Sequence, residues 1–158
     1  GGACGMRTMP ADLPDGLAAG AHNMPGIAGL LEGIRFVSRT GTERIARWER
    51  MLARRAAEGL RRMPEVEIFA DEKGTAQSGV LSFRVKGMDC EQIGEELAQR
   101  EIAVRAGLHC APLAHRTAGT LETGTVRLSP SVFNTEMQID VFLRELGCIL
   151  RENAKKSV

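Results

Sequence analysis

The residues most able to do chemistry in this sequence lie together in Arg105–Ala106–Gly107–Leu108–His109–Cys110–Ala111–Pro112–Leu113. A histidine immediately precedes the cysteine, and an arginine stands five residues upstream. Cationic neighbours favour the thiolate, which is the nucleophilic form of the side chain. Cys110, in a glycine-containing loop, is therefore the candidate nucleophile. A buried, inert cysteine is the alternative that these residues alone leave open. Cys4, Cys90 and Cys148 have weaker surroundings and read as packing or incidental residues.

Such a loop must be held by regular elements on either side. Upstream, residues 102–105 read as a short strand and residues 123–129 as a further one, with the cysteine loop between them. Two earlier strands are expected at residues 66–69 and 80–85, where apolar and polar side chains alternate. An exposed loop at residues 71–74 lies between them. Asp89 can cap a helix carrying Ile93, Leu97 and Ala98 that ends near Arg100. Thr135–Glu136–Met137–Gln138 has the form of a capping box. It opens a C-terminal helix with Ile139, Phe142, Leu143, Leu146, Ile149 and Leu150 inward, and the polar tail 153–158 should fray.

The N-terminal third differs. Residues 1–22 show no sustained period and read as irregular. Asn23 offers an N-cap, Pro25 falls in the first turn, and Ile27, Leu30, Leu31, Ile34 and Val37 recur at helical spacing. Thr40–Gly41–Thr42–Glu43 resembles a second capping box. The helix after it should bury Ile45, Trp48, Leu52, Ala56, Leu60 and Met63, and Pro64 stops it. Arg44, Arg47, Arg50, Arg54, Arg55, Arg61 and Arg62 occupy much of its remainder. Glu43, Glu49 and Glu58 are interleaved and aromatics are absent from that face, which favours a solvated or subunit-facing surface over nucleic acid. The order α-α-β-β-α-β-(loop)-β-α implies an α+β fold, a short, mostly antiparallel sheet covered by helices.

The bulk numbers exclude several classes. The chain has 158 residues, 43% hydrophobic and 26% charged, enough apolar material for a core. Its 21 basic and 20 acidic residues give a formal net charge of +1. No global field draws in nucleic acid or an anionic membrane. No run reaches the roughly 18–20 apolar residues of a membrane span, and the N-terminus lacks a signal-peptide layout. The four cysteines show neither C-x-x-C spacing nor disulfide density, so no metal site is expected and a reducing cytoplasm is the simplest location.

A family resemblance sharpens this reading. Arg105 to Ala111 looks like the R-x-G-x-H-C-A segment of cysteine desulfurases and selenocysteine lyases, members of the class V aminotransferases. Gly20–Ala21–His22–Asn23–Met24–Pro25–Gly26 is similar to their G-T-P-N-x-P-G segment, with Ala21 in place of the threonine and its hydroxyl. Gly124–Thr125–Val126–Arg127–Leu128–Ser129, followed by Phe133–Asn134–Thr135, resembles the G-x-x-R-x-S…x-N-T signature. Gly1–Gly2 fits the glycines after the cofactor-lysine region, although Ala3–Cys4–Gly5–Met6 departs from the usual T-G-S pattern. The resemblance spans essentially the whole chain.

It implies a part in a pyridoxal-phosphate enzyme that takes sulfur from cysteine. Cys110 would accept the substrate's sulfur as a persulfide and alanine would leave. Arg127 would hold the substrate carboxylate, since a guanidinium donates two parallel bonds to two oxygens. Without the motif, Arg127 reads as a strand arginine in a surface pair. His109 would assist proton transfer or shape the loop, and Arg105 would line the entrance. His115 reads equally as a solvent-exposed loop residue, and His22 carries no catalytic role. The resemblance also implies a homodimeric parent, a small-molecule substrate and a sulfur-acceptor protein. In the family the Schiff-base lysine lies upstream of the position matching Gly1. Lys73, Lys86, Lys155 and Lys156 stand in other contexts, so the chain by itself is expected neither to bind the cofactor nor to turn over cysteine. Residues 1–40 would belong to the large-domain end, and residues 41–158 would form the C-terminal small domain. The rival expectations are an epimerase or aminotransferase of the same fold with Cys110 inert, and a non-catalytic binding or sulfur-relay module.

Overall fold

The computed structural model describes Leu13, residues 22–71 and residues 77–156. The Gly1–Gly2 pair, Cys4, Ala21 and Lys73 fall outside the described residues, as does most of the irregular N-terminal segment. The chain divides into two compact units, Gly1–Thr42 and Glu43–Val158.

In the first unit, α1 (Met24–Thr40) begins as its sequence dictates. The Asn23 side-chain oxygen accepts the Gly26 N–H at 3.0 Å, satisfying one of the orphan donors of the first turn. The expected capping box at Thr40 is not formed, because Thr40 is the last residue of α1. Gly41 closes the helix instead at φ 86°, where a side chain would be strained, and its N–H bonds the Val37 carbonyl at 2.8 Å. None of α1 is buried: Ile27, Leu30, Leu31 and Ile34 are 46–64% exposed.

The second unit is a four-stranded antiparallel sheet with three helices packed on its apolar face. Its strands are β1 (Val66–Phe69), β2 (Leu81–Val85), β3 (Arg105–Gly107) and β4 (Thr125–Leu128), in the spatial order β1-β2-β4-β3. Alternation along the strands sends Leu81, Phe83, Val85, Val126 and Leu128 to the core face. They meet Leu52, Ala56 and Leu60 of α2 (Thr42–Leu60), and Ile93 and Leu97 of α3 (Cys90–Ala98). Ile139, Phe142, Leu146 and Ile149 of α5 (Glu136–Lys156) complete the cluster. Phe83 and Phe142 meet edge to face at 5.9 Å, the arrangement that ring quadrupoles favour. Each such side chain, taken fully from water, stabilises the fold by about 1.5–3 kcal/mol.

Two caps form as the sequence implies. Asp89 accepts the Glu91 and Gln92 N–H groups at 2.8 and 3.2 Å. At α5 the bonds are reciprocal: Thr135 Oγ1 accepts the Gln138 N–H at 3.4 Å, and Gln138 Oε1 accepts the Thr135 N–H at 3.0 Å. Arg55 then ties α2 to α5, gripping both oxygens of Asp140 at 2.8 Å and Glu136 at 2.9 Å.

Several expectations change. Trp48 is not in the buried stripe: it is 36% exposed, and its indole N–H donates to the Asn134 carbonyl at 3.0 Å. Ile45 is half-buried. β2 starts at Leu81 rather than Val80, and β4 is shorter than residues 123–129. The strand expected at residues 102–105 begins where that segment ends, because only Arg105–Gly107 finds partners on β4. A helix, α4 (Pro112–Ala118), lies within the expected loop, with Pro112 in its first turn and Gly119 closing it in the left-handed region at φ 68°. The C-terminal helix runs on to Lys156 rather than fraying from Asn153, whose amide donates to Glu96 at 3.3 Å and to the Ile149 carbonyl at 3.1 Å.

Candidate active site

The sheet face opposite α2, α3 and α5 carries the polar residues. Phe69, Ser82, Arg127 and Arg105 pair across β1, β2, β4 and β3 in one row, so their side chains stand on that same face. In the next row, Glu67 and Arg84 are register partners joined by an ion pair at 2.7 Å. The Arg84 guanidinium also lies 5.8 Å from the centre of the Phe69 ring.

Arg105 and Arg127 are different. Two like charges directly opposite on neighbouring strands repel. Neither has a carboxylate partner among the described residues, and Arg127 Nε is buried with no hydrogen bond. An unspent guanidinium donor in a folded site is costly unless an acceptor fills it.

β3 leads directly into the cysteine loop. Gly107 takes φ 105° at the last paired position, and His109 and Cys110 follow at φ 51° and 59°. Two consecutive non-glycine residues in the left-handed region cost roughly 1–2 kcal/mol each. They are held by a turn in which the Ala111 N–H donates to the Leu108 carbonyl at 2.9 Å. They are held as well by the His109 ring, whose Nε2 lies 3.2 Å from the Thr125 carbonyl and 3.3 Å from Thr125 Oγ1. Cys110 is exposed. Strain that the surroundings over-determine at an exposed cysteine is the pattern expected of a reactive loop.

Burial, and next to it the Arg127 guanidinium, lowers the His109 imidazole below its ordinary value. His115 and Arg105 push the same way, while the Thr125 carbonyl opposes. His109 is thus a neutral group at neutral pH. Cys90, by contrast, is buried under the sheet, and desolvation raises its thiol, which suits a packing residue. Cys148 is half-buried and accepts a bond from Arg151 at 3.2 Å.

Strand register sets Arg105 opposite Arg127, and His109, on the loop that leaves the other end of β3, contacts Thr125 two residues before Arg127. His115 is not an exposed loop residue but 7% exposed on α4, bonded through Nδ1 to Thr120 Oγ1 at 2.8 Å. Thr120 and Thr125, both buried, were not singled out from the sequence. The pattern Pro112…Gly119 was the available sign of the helix that ends just before them. Among the described residues no group of three or more His, Cys, Asp or Glu could hold a metal ion. No helix there is long and apolar enough to cross a membrane.

Residues 5–142 match the family model described as aminotransferase class-V. The chain belongs to that family. Within it, the chain is 44% identical over 150 residues to a probable cysteine desulfurase of Mycolicibacterium paratuberculosis, covering 94% of this chain and 21% of that protein. A probable cysteine desulfurase of Pyrococcus abyssi is 33% identical over 131 residues, covering 82% of this chain and 32% of the relative. Among solved structures, an apo cysteine desulfurase of Thermococcus onnurineus superposes with a TM-score of 0.75 at 34% identity, covering 92% of this chain and 34% of the other. The chain thus spans a fifth to a third of the length of these relatives. It is homologous to the C-terminal part of class V cysteine desulfurases, and its α+β fold is the fold of that part.

Proposed function

We propose that this chain is the substrate-facing C-terminal portion of a cysteine desulfurase, with Cys110 as its sulfur acceptor. The observation that carries the reading is the Arg105–Arg127 pair on one sheet face. Arg127 Nε is buried and unspent, and β3 runs from Arg105 into a strained loop that exposes a cysteine. Arg127 would grip the carboxylate of an amino-acid substrate, and Arg105, exposed on the edge strand, would line the entrance.

In the reaction the Cys110 thiolate bonds to the sulfur of a cysteine substrate. The substrate's carbon–sulfur bond breaks, its carbon takes up a proton, and alanine leaves with the persulfide kept on Cys110. His109, neutral and anchored, would move a proton at this site. Pyridoxal phosphate, which the family implies, would supply the electron sink. The described residues do not fit it: Lys86 lies in the turn after β2 and Lys155 near the end of α5, neither on β3 or β4. This chain would therefore furnish the substrate side of the site, and the parent's other residues the cofactor side. Residues 1–40 would then belong to the large-domain end, and residues 41–158 would be the small domain. A homodimeric parent in a reducing cytoplasm, passing sulfur to an acceptor protein, completes the reading.

The test is the full-length parent, assayed for alanine and persulfide from cysteine. Cys110→Ala should abolish both while leaving the cofactor bound. Persistent alanine and persulfide formation in that variant would remove Cys110 from the chemistry. Arg127→Lys should raise KM steeply, because a point charge cannot reproduce the two-bond grip.

A further inference from the structure

α2 carries two kinds of arginine. Arg55 is spent on the fold, held by Asp140 and Glu136 of α5. Arg50, Arg54 and Arg61 are exposed and pair with no carboxylate among the described residues. All three line one groove of about 350 Å³ between α2 and the β1–β2 hairpin. Arg50 and Arg54 stand one helical turn apart, where like charges repel. The fold thus concentrates three cations on this groove and gains no ion pair from them.

The groove exists because small residues stand beneath and beside it. Ala53 and Ala57 are buried and, with Leu81 of β2, make an apolar floor. Gly79 lets the hairpin close on the helix, since a Cβ there would stand 2.7 Å from Glu49 Cβ. Gln77 fixes the far rim, accepting the Asp71 N–H at 3.0 Å and donating to the Val80 carbonyl at 2.6 Å. A groove of this volume holds a short extended segment and is too small for a helix about 10–12 Å across. Glu58 and Asp71 line it as well, and no aromatic does, which disfavours a phosphate backbone with stacked bases.

Spacing sets a register. Arg50, Arg54 and Glu58 follow one another at about 6 Å along the helix, and Arg61 at about 4.5 Å more. Alternate side chains of an extended chain stand about 6.6–6.8 Å apart, a near match. The charges along the groove run positive, positive, negative, positive. We propose that this groove docks an extended, mainly acidic segment of a partner protein. Acidic side chains at its first, third and seventh positions meet Arg50, Arg54 and Arg61, and a basic one at its fifth meets Glu58. None of the residues assigned to sulfur transfer lines the groove, so the proposal does not depend on that reading.

The probes are two end-blocked fluorescent peptides, Asp-Ser-Asp-Ser-Lys-Ser-Asp and its reverse, titrated by anisotropy against the 158-residue chain at physiological salt. One of them should saturate, and a scrambled peptide of the same composition should bind at least about threefold more weakly. Arg54→Gln should weaken the matched peptide about three- to fivefold, the effect of one exposed ion pair. Arg62→Gln makes the same charge change outside the groove lining and should leave binding unaltered. Glu58→Lys should reverse the preference, favouring a peptide with aspartate at the fifth position over lysine. Circular dichroism checks each variant, and Arg50→Gln takes the place of Arg54→Gln should that variant unfold. No saturation by either peptide up to about 1 mM, a free energy near −4 kcal/mol, overturns the proposal. So does an equal loss in Arg62→Gln, which would mark net charge alone. Tighter binding of a seven-nucleotide single strand than of either peptide also overturns it.

Discussion

Gly124 opens the Gly-x-x-Arg motif, and its replacement by alanine tests how the core supports the site. The residue is buried at φ 61°, a conformation that costs a residue with a side chain roughly 1–2 kcal/mol. A Cβ there would stand 2.8 Å from Cys90 Sγ and 3.2 Å from both the Cα and the carbonyl carbon of Gly107. Neither neighbour can yield easily: Cys90 is 5% exposed within the core, and Gly107 is backbone paired to Thr125. Overpacking of this kind costs about 1–3 kcal/mol. Together the two effects predict a loss of about 2–5 kcal/mol for Gly124→Ala, and a fall in Tm on the order of 10 °C for a unit of this size. Circular dichroism melts and urea titrations of the chain would measure it. The closest obstacle is a sulfur, so Cys90→Ala in the Gly124→Ala background should recover about 1 kcal/mol relative to the sum of the two single changes. A Gly124→Ala variant within about 0.5 kcal/mol of the parent chain would refute the steric argument. Strict additivity with Cys90→Ala would refute the identity of the obstacle.

Three further outcomes are expected. Phe142→Ala removes a ring that is 2% exposed and packed edge to face on Phe83, and should cost about 3–5 kcal/mol in denaturant unfolding; a loss under about 1 kcal/mol would mean the cluster is not the core. The folded-state pKa of His109 is lowered, so the unfolded chain binds its proton first as pH falls through about 6.5, and folding stability declines below that pH. His109→Gln cannot titrate and should lose less stability between pH 7.5 and 5.5 than the parent chain, an order that urea midpoints at the two values would reverse if the reasoning failed. Finally, Ile27, Leu30, Leu31 and Ile34 leave an apolar stripe of α1 exposed, so the chain should self-associate, and Leu30→Glu with Ile34→Glu should return it to monomer; sedimentation of a clean monomer at high concentration would contradict this.

The sequence by itself determined the elements whose signals are local. Period-two alternation gave β1 and β2 within one residue, Asp89 and Thr135 announced their helices through side-chain caps, and the apolar period of α5 named its buried face. It also singled out Cys110, His109, Arg105 and Arg127, because the motif spacing is carried by neighbouring residues. Tertiary structure alone decided what depends on partners far away in the chain. β3 begins at Arg105 because β4 supplies acceptors only there, and that register sets Arg105 opposite Arg127. Thr40 could not cap α2, since Gly41 ends α1 after it. His115 became buried because a short helix, invisible to a 3.6-residue period over so few turns, folds it against Thr120 and His109. A side chain's type is written in the sequence, but its desolvation and its hydrogen-bond partner exist only once distant segments have excluded water around it.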